Sequence, residues 1–260
     1  NLLMAEPEIL IGDLMQKVST PINALTDARE VTLIFERYDL IEAPVINEES
    51  KFLGFISVDD VVDVLIEETD RSLLSSAGLA TDYDMFAPIF KTSSKRSVWL
   101  AVNLATAFLA AWVIGLFETT IENMVALAVL MPVVASMGGI AGTQTLTIVI
   151  RGLSIGQVGS ANSRSVVSRE IIIGFFNGCL WAVVVALISS LWFNNFGLGA
   201  IIAAAMVVNM VTAGFFGAMI PLTLDKLGID PALAGGVVVT TITDVVGFFA
   251  FLGLASHYLI

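Results

Sequence analysis

The sequence predicts an α-helical polytopic membrane protein with five transmembrane helices, preceded by a small acidic α+β domain. Three observations carry this. Of the 260 residues, 57% are hydrophobic and only 14% charged, with a mean hydropathy of +0.89, outside the range of soluble domains. Charge is segregated: residues 1–97 hold 18 acids and 8 bases, whereas residues 98–260 hold 6 and 4. The second part also divides into five apolar runs, each near the ~20 residues that a bilayer-crossing helix needs. The net charge of −12 argues against nucleic acid as a partner, because phosphate contacts demand a basic surface. It is compatible with cations. Cys179 is the single cysteine, so no intrachain disulfide is expected. The start, Asn1-Leu2-Leu3-Met4, has neither an initiator Met nor a basic-then-apolar leader, and is expected to be a cut through a longer protein.

Residues 10–68 alternate between strand and helix signals. Asp27 to Tyr38 carries Val31, Ile34 and Phe35 on one helical stripe. Ala43-Pro44-Val45-Ile46 reads as a strand, Asn47 to Lys51 as a polar turn, and Phe52 to Ile56 as a second strand. Ser57 then caps a helix over Val58 to Glu68. The resulting β-α-β-β-α order resembles a CBS domain. The resemblance rests on Asp13-Leu14-Met15, Arg37-Tyr38-Asp39-Leu40, Ala43-Pro44-Val45 and the Gly54-x-Ile56-Ser57-x-x-Asp60 segment, in that order. CBS motifs pair, and residues 1–9 look like the remnant of a preceding copy. The resemblance implies that Ser57 and Asp60 hold the ribose of ATP or another adenosine nucleotide. The same two residues are also ordinary helix starters, where a carboxylate suits the helix dipole.

Asp59, Asp63 and Glu67 follow at i, i+4 and i+8, on one face of that helix. Like charges at this spacing repel by a few tenths of a kcal/mol per pair, roughly. A cation or a basic surface would offset this, and oxygen ligands of this kind suit Mg²⁺ or Ca²⁺. A solvated acidic face is the equal alternative. Residues 69–97 read as a connecting helix plus linker, ending in the basic cluster Lys91, Lys95 and Arg96.

The five spans are Val98–Phe117, Met124–Ile150, Ile171–Phe193, Leu198–Leu224 and a last one from Asp230-Pro231 to about Ser256. The second is interrupted by Pro132, Gly138, Gly139 and Gly142. The fifth opens with an aspartate cap and a first-turn proline. Basic residues lie before the first span, between the second and third (Arg151, Arg164, Arg169) and between the fourth and fifth (Lys226). The positive-inside rule then puts the acidic domain in the cytoplasm and the C-terminus outside, in the cytoplasmic (inner) membrane. Glu118 and Glu122, at the outer end of the first span, would form an acidic vestibule that concentrates cations or are solvated loop acids. Asn103, Asn177 and Asn209 suit interhelical hydrogen bonds.

Asp244 is the residue this pattern turns on. It lies 13 residues after Pro231, or ~20 Å along a helix, inside a hydrocarbon core of ~30 Å. A charge at such depth costs roughly 3 kcal/mol or more, so intramembrane acids face a pathway or a partner. Gly236, Thr240 and Gly247 are expected on its helical face, which suits a narrow polar conduit; a structural interhelical bond is the plainer alternative.

The run Met131-Pro132 through Gly138-Gly139-Ile140-Ala141-Gly142-Thr143-Gln144 to Arg151, with Asp230-Pro231-Ala232 and Thr243-Asp244-Val245-Val246-Gly247, resembles the membrane domain of the MgtE family of magnesium channels. With the CBS-like part and connecting helix, the resemblance covers nearly the whole chain. It implies a non-enzymatic Mg²⁺-selective channel mediating uptake, a homodimer whose pore on the two-fold axis is lined by the second and fifth spans. Asp244 would bind hydrated Mg²⁺ there, with Pro132, Gly138, Gly139, Gly142, Gly236, Thr240 and Gly247 along the wall. The cytosolic CBS and plug region would sense intracellular Mg²⁺ and close the gate. Two positions depart from the family pattern: Ile140 and Gly236 stand where asparagine is frequent. The implied architecture is thus a remnant (1–9), a CBS domain (10–68), a plug-like connection (69–97) and a pore domain (98–260). Rival readings are a Mg²⁺ carrier coupled to Na⁺ or H⁺, and a membrane-anchored nucleotide or ion sensor without transport. An intramembrane metalloprotease would need a His-Glu-x-x-His pair, and His257 is the sole histidine.

Overall fold

The computed structural model describes residues 10, 20–76, 79, 86, 88–159 and 161–259. The expected remnant at 1–9, the Asp13-Leu14-Met15 motif and much of the connection between 77 and 87 lie outside the described residues. The chain divides into two units, Asn1–Leu73 and Leu74–Ile260.

In the first unit the described elements run β1 (Ile22–Asn23), α1 (Ala28–Tyr38), β2 (Glu42–Ile46), β3 (Phe52–Ser57) and α2 (Val58–Ser76). The sheet order is β1-β2-β3, with β1 parallel to β2 and β2 antiparallel to β3. The β2–β3 turn closes where Asn47 Oδ1 accepts from the Lys51 amide at 2.7 Å, and Ser50 takes a positive φ of 60°. Ile22, Val31, Phe35, Ala43 and Val61 form the core, so the apolar stripe of α1 packs where its spacing directs. One helix is longer than its sequence pattern suggests: α2 runs on past Glu68 to Ser76, because nothing in Thr69 to Ser76 breaks a helix.

The second unit holds five helices long and apolar enough to cross a membrane: α3 (Ile89–Gly115), α5 (Ala126–Ser154), α6 (Ser163–Phe193), α7 (Phe196–Lys226) and α8 (Pro231–Tyr258), with a short α4 (Glu118–Asn123) between the first two. The helix of the first span begins earlier than its apolar run. Lys91, Lys95 and Arg96 lie within α3, which starts at Ile89. The second span is also uninterrupted: α5 is one continuous helix through Pro132 and its glycines. Turns follow their local chemistry. Asn194 takes the left-handed φ of 49° that ends α6, and Asn195 caps α7 by accepting from the Leu198 amide at 3.1 Å. Gly228, with φ of 70°, ends α7, and Asp230 Oδ1 caps α8 through the Ala232 amide at 2.9 Å.

Helix α7 is the centre of this unit, packing on α5, α6 and α8, while α5 and α8 also pack on each other and α3 leans on α8. The core at one end joins Val113 of α3, Leu127, Leu130 and Val134 of α5, Ile202 and Ala205 of α7, and Phe251 and Leu252 of α8. Close approach of α6 and α7 depends on small residues: a side chain at Gly174 would meet the Met210 carbonyl, and one at Gly214 the Glu170 carbonyl. Without a hydrophobic drive between helices in lipid, such backbone proximity supplies the van der Waals contact that holds them.

Candidate intramembrane site

Asp244 lies in the middle of α8, half-buried. Among the described residues, no protein donor or cation reaches its carboxylate. Within the chain, therefore, the structural interhelical bond is not made. Gly236 and Thr240 precede it by eight and four residues on the same stripe, and both are partly exposed. A side chain at Gly236 would meet open space. The Thr240 hydroxyl donates back to its own helix, to the carbonyls of Gly236 at 3.0 Å and Val237 at 3.1 Å. Its proton is thereby turned inward and its remaining lone pairs are free to accept from a water or face a cation. The stripe thus offers a carboxylate and a hydroxyl oxygen, with a gap at Gly236 where a larger residue would narrow the space.

Helix α5 meets α8 along its glycines, but not in the manner expected from sequence. Gly139 faces Thr240, its position lying 3.8 Å from the threonine methyl, and Gly142 packs on Val239 and Thr243. Gly138 is buried against the Asn209 side chain of α7, and Gly247 is covered by Asn209 and Val134. Gly138, Gly142 and Gly247 are therefore helix–helix contacts in this chain. Gly247 shares the angular position of this stripe but lies nearly one turn beyond Asp244, where Asn209 of α7 and Val134 of α5 cover α8. Pro132 and Ile140 are exposed. Asn209 is fully buried and donates through Nδ2 to the Val134 carbonyl at 2.8 Å, while its Oδ1 is unsatisfied. It is the interhelical bond anticipated for it. Asn103 and Asn177 are exposed on their helices instead.

Sequence reading passed over Glu170, which borders the third run and sits beside Arg169 like a loop acid. In the fold it is buried, 8% exposed, because α6 begins at Ser163 and carries it against α7. Thr145 of α5 donates to Glu170 Oε2 at 3.1 Å. The two line a cavity of about 700 Å³ between α5 and α6, together with Gln144, Arg169 and Asn177. The only sequence signal was an acid within one helical turn of an apolar run.

In the first unit, the Ser57 amide and hydroxyl both donate to Asp60 Oδ2 at 2.8 Å. These two bonds hold the Asp60 carboxyl below its ordinary value of 3.8, with the backbone bond the larger cause. The pair is thus engaged in starting α2, the role a helix-start reading gives it. Asp59, Asp63 and Glu67 are exposed along α2, each ~6 Å of helix rise from the next. Among the described residues no three acids, histidines or cysteines converge on a common point, so ligands from a facing surface would be required to close a cation site there. Glu118 and Glu122 are exposed on α4.

Residues 131–254 match the MgtE family model, described as a divalent cation transporter. This segment contains most of α8, with Asp244, all of α6 and α7 and most of α5. Over 259 residues the chain is 32% identical to the magnesium transporter MgtE of Bacillus subtilis, covering all of this chain and 57% of that protein. It is 27% identical to the magnesium transporter MgtE of Enterococcus faecalis and 28% identical to that of Thermus thermophilus, again over 57% of each. The chain therefore spans a little over half the length of these curated relatives.

Proposed function

We propose that this chain, whose residues 131–254 match the MgtE family model, is the CBS-linked membrane part of a Mg²⁺ channel subunit, with Asp244 as the ion-binding residue of a pore on a homodimer axis. The observation that carries this reading is Asp244 itself: a half-buried carboxylate in the fifth span, without a protein partner among the described residues, on a stripe left open at Gly236. A lone charge at bilayer depth is costly. A hydrated cation shared with a second copy's carboxylate offsets that cost. Mg²⁺ sheds water reluctantly and is commonly held with several waters retained, so the site would bind the ion through its water shell, with the outward lone pairs of Thr240 as further acceptors. Gly139 of α5, adjacent to Thr240, supports the second span as part of the same wall. The basic helix ends support a cytoplasmic N-terminal part and an external C-terminus.

Gating belongs to the same proposal. The exposed acidic face of α2 would bind intracellular Mg²⁺ against a facing surface and favour closure, and an adenosine nucleotide at the CBS-like unit would bias it further. The Ser57–Asp60 bonds would have to open for that ribose to bind.

Reconstitution in liposomes tests the pore. Wild type should carry Mg²⁺ down its gradient, and Asp244→Ala should abolish the flux; unchanged flux in that variant removes Asp244 from the site. A coupled carrier is the second reading, and Glu170 is the observation in its favour. A second buried carboxylate beside a polar cavity is what a Na⁺ or H⁺ binding step would use. Dependence of Mg²⁺ flux on an imposed Na⁺ or pH gradient, lost in Glu170→Gln, would establish the carrier; single-channel currents with no such dependence would establish the channel.

A further inference from the structure

A second groove lies away from the Asp244 stripe, between the N-terminal end of α6 and the C-terminal end of α7. It encloses about 430 Å³ and is lined by no acidic side chain. Its polarity is graded along its length. Arg164 and Lys226, both exposed, stand at the shared helix ends, and Ser168 and Thr223 come one turn further in. Ile171, Phe215 and Met219 line the deeper part. Arg164 to Ile171 spans ~10 Å of helix, and Lys226 to Phe215 ~16 Å. Two cations at an interfacial level, hydroxyls below them and an apolar floor toward the bilayer interior reproduce the polarity profile of a phospholipid molecule. Basic pockets between membrane helices bind acidic head groups in this manner, and a guanidinium matches phosphate oxygens as a fork.

We propose that this groove is a binding site for an anionic phospholipid, with the phosphodiester and its charge held by Arg164 and Lys226 and an acyl chain laid along Ile171, Phe215 and Met219. A zwitterionic lipid carries its own ammonium, which the two cations repel, so the site discriminates by net head-group charge. The lipid would clamp α6 to α7 at one membrane surface, adding to the close backbone contact that Gly174 and Gly214 make deeper in the bundle. The site stands apart from Asp244 and its test reads lipid retention and not ion flux, so the pore assignment and the lipid site succeed or fail separately.

The test is native mass spectrometry of the full chain in detergent, titrated with phosphatidylglycerol, phosphatidylcholine or inorganic phosphate. Wild type should retain phosphatidylglycerol in preference to phosphatidylcholine. The double variant Arg164→Gln/Lys226→Gln should bind it on the order of 30-fold more weakly, at about a factor of five for each basic residue lost. Arg151→Gln, which removes a cation from the end of α5 outside the groove, should change it less than two-fold. Equal retention of the two lipids, an unchanged double variant, or an equal loss in Arg151→Gln would each overturn the proposal. Inorganic phosphate displacing phosphatidylglycerol at comparable concentration would also overturn it, since the site would then be a free-anion site.

Discussion

At the scale of single residues, the glycines of α5 and α8 divide into two kinds by what surrounds them. Gly138 lies against the Asn209 amide, whereas Gly236 faces open space. Gly138→Ala should therefore lower the thermal stability of the purified chain, by about 1–3 kcal/mol for a methyl forced into a packed contact. Gly236→Ala should leave stability within about 0.5 kcal/mol while reducing Mg²⁺ flux if the stripe is the conduit. Thermal melts and liposome flux on the two variants separate packing from conduction. Asp60 gives a pH-dependent expectation. Its folded value is depressed below 3.8 by the Ser57 bonds, so its contribution is present above that value and is lost as pH falls through the folded value. Asp60→Asn should be less stable than wild type at pH 7, with the gap closing under strongly acidic conditions; denaturant titrations at several pH values measure it. A gap that stays constant with pH would mean that the ionised Asp60–Ser57 bonds are not what stabilises this helix start.

At the scale of elements, α5 and α6 touch little directly and are joined through α7 and through the Thr145–Glu170 bond. Thr145→Val removes the donor and leaves one Glu170 oxygen without it, which should destabilise the helix bundle by about 1–3 kcal/mol. Glu170→Gln preserves an acceptor for Thr145 and should cost less. Scanning calorimetry of the two variants ranks them, and the reverse order would mean that the charge of Glu170 matters more than its hydrogen bond. The continuity of α5 has a related cause. Pro132 lies within the helix, where it removes one backbone bond, yet α5 continues through it to Ser154. Its glycines, which in a sequence look like breaks, are used for close approach to α7 and α8.

At the scale of the whole molecule, five crossings would put the two ends of the membrane unit on opposite sides, and the orientation proposed from the basic helix ends puts the C-terminus outside. Cys179 is the single cysteine, so Cys179→Ser gives a clean background. A cysteine replacing Ser154, at the end of α5, should then react with impermeant reagent only from the cytoplasmic side, and one replacing Asn194 only from outside. The opposite labelling would invert the topology. In the same background, Thr240→Cys should cross-link two copies on oxidation if the Asp244 stripe lies on a two-fold axis. Val184→Cys, on α6, which touches α5 only lightly and α8 less still, should not. A monomer that never cross-links through Thr240 would leave Asp244 without its symmetry mate.

Span number, the acidic and membrane parts, the cap at Asp230, the core face of α1 and the oddity of Asp244 were all legible in the chain. Each depends on local periodicity, composition or backbone chemistry within a few residues. Which face of a helix meets which neighbour was not legible. Gly138, Gly142 and Gly247 share the small-residue signature of a conduit, but contacts with Asn209, Val239 and Val134, tens of residues distant or more, make them packing surfaces. Glu170 drew no reading from the sequence, and only the extension of α6 past it buries it beside Thr145. Ser57 and Asp60 carried two meanings in the sequence, and their mutual bonds in the fold select the helix-start one for the free chain. Sequence alone determined that a carboxylate sits at bilayer depth, because length and hydropathy fix depth. Only the tertiary structure decided that this carboxylate is left without a partner among the described residues of its own chain, because partnership is set by side chains that packing alone brings together.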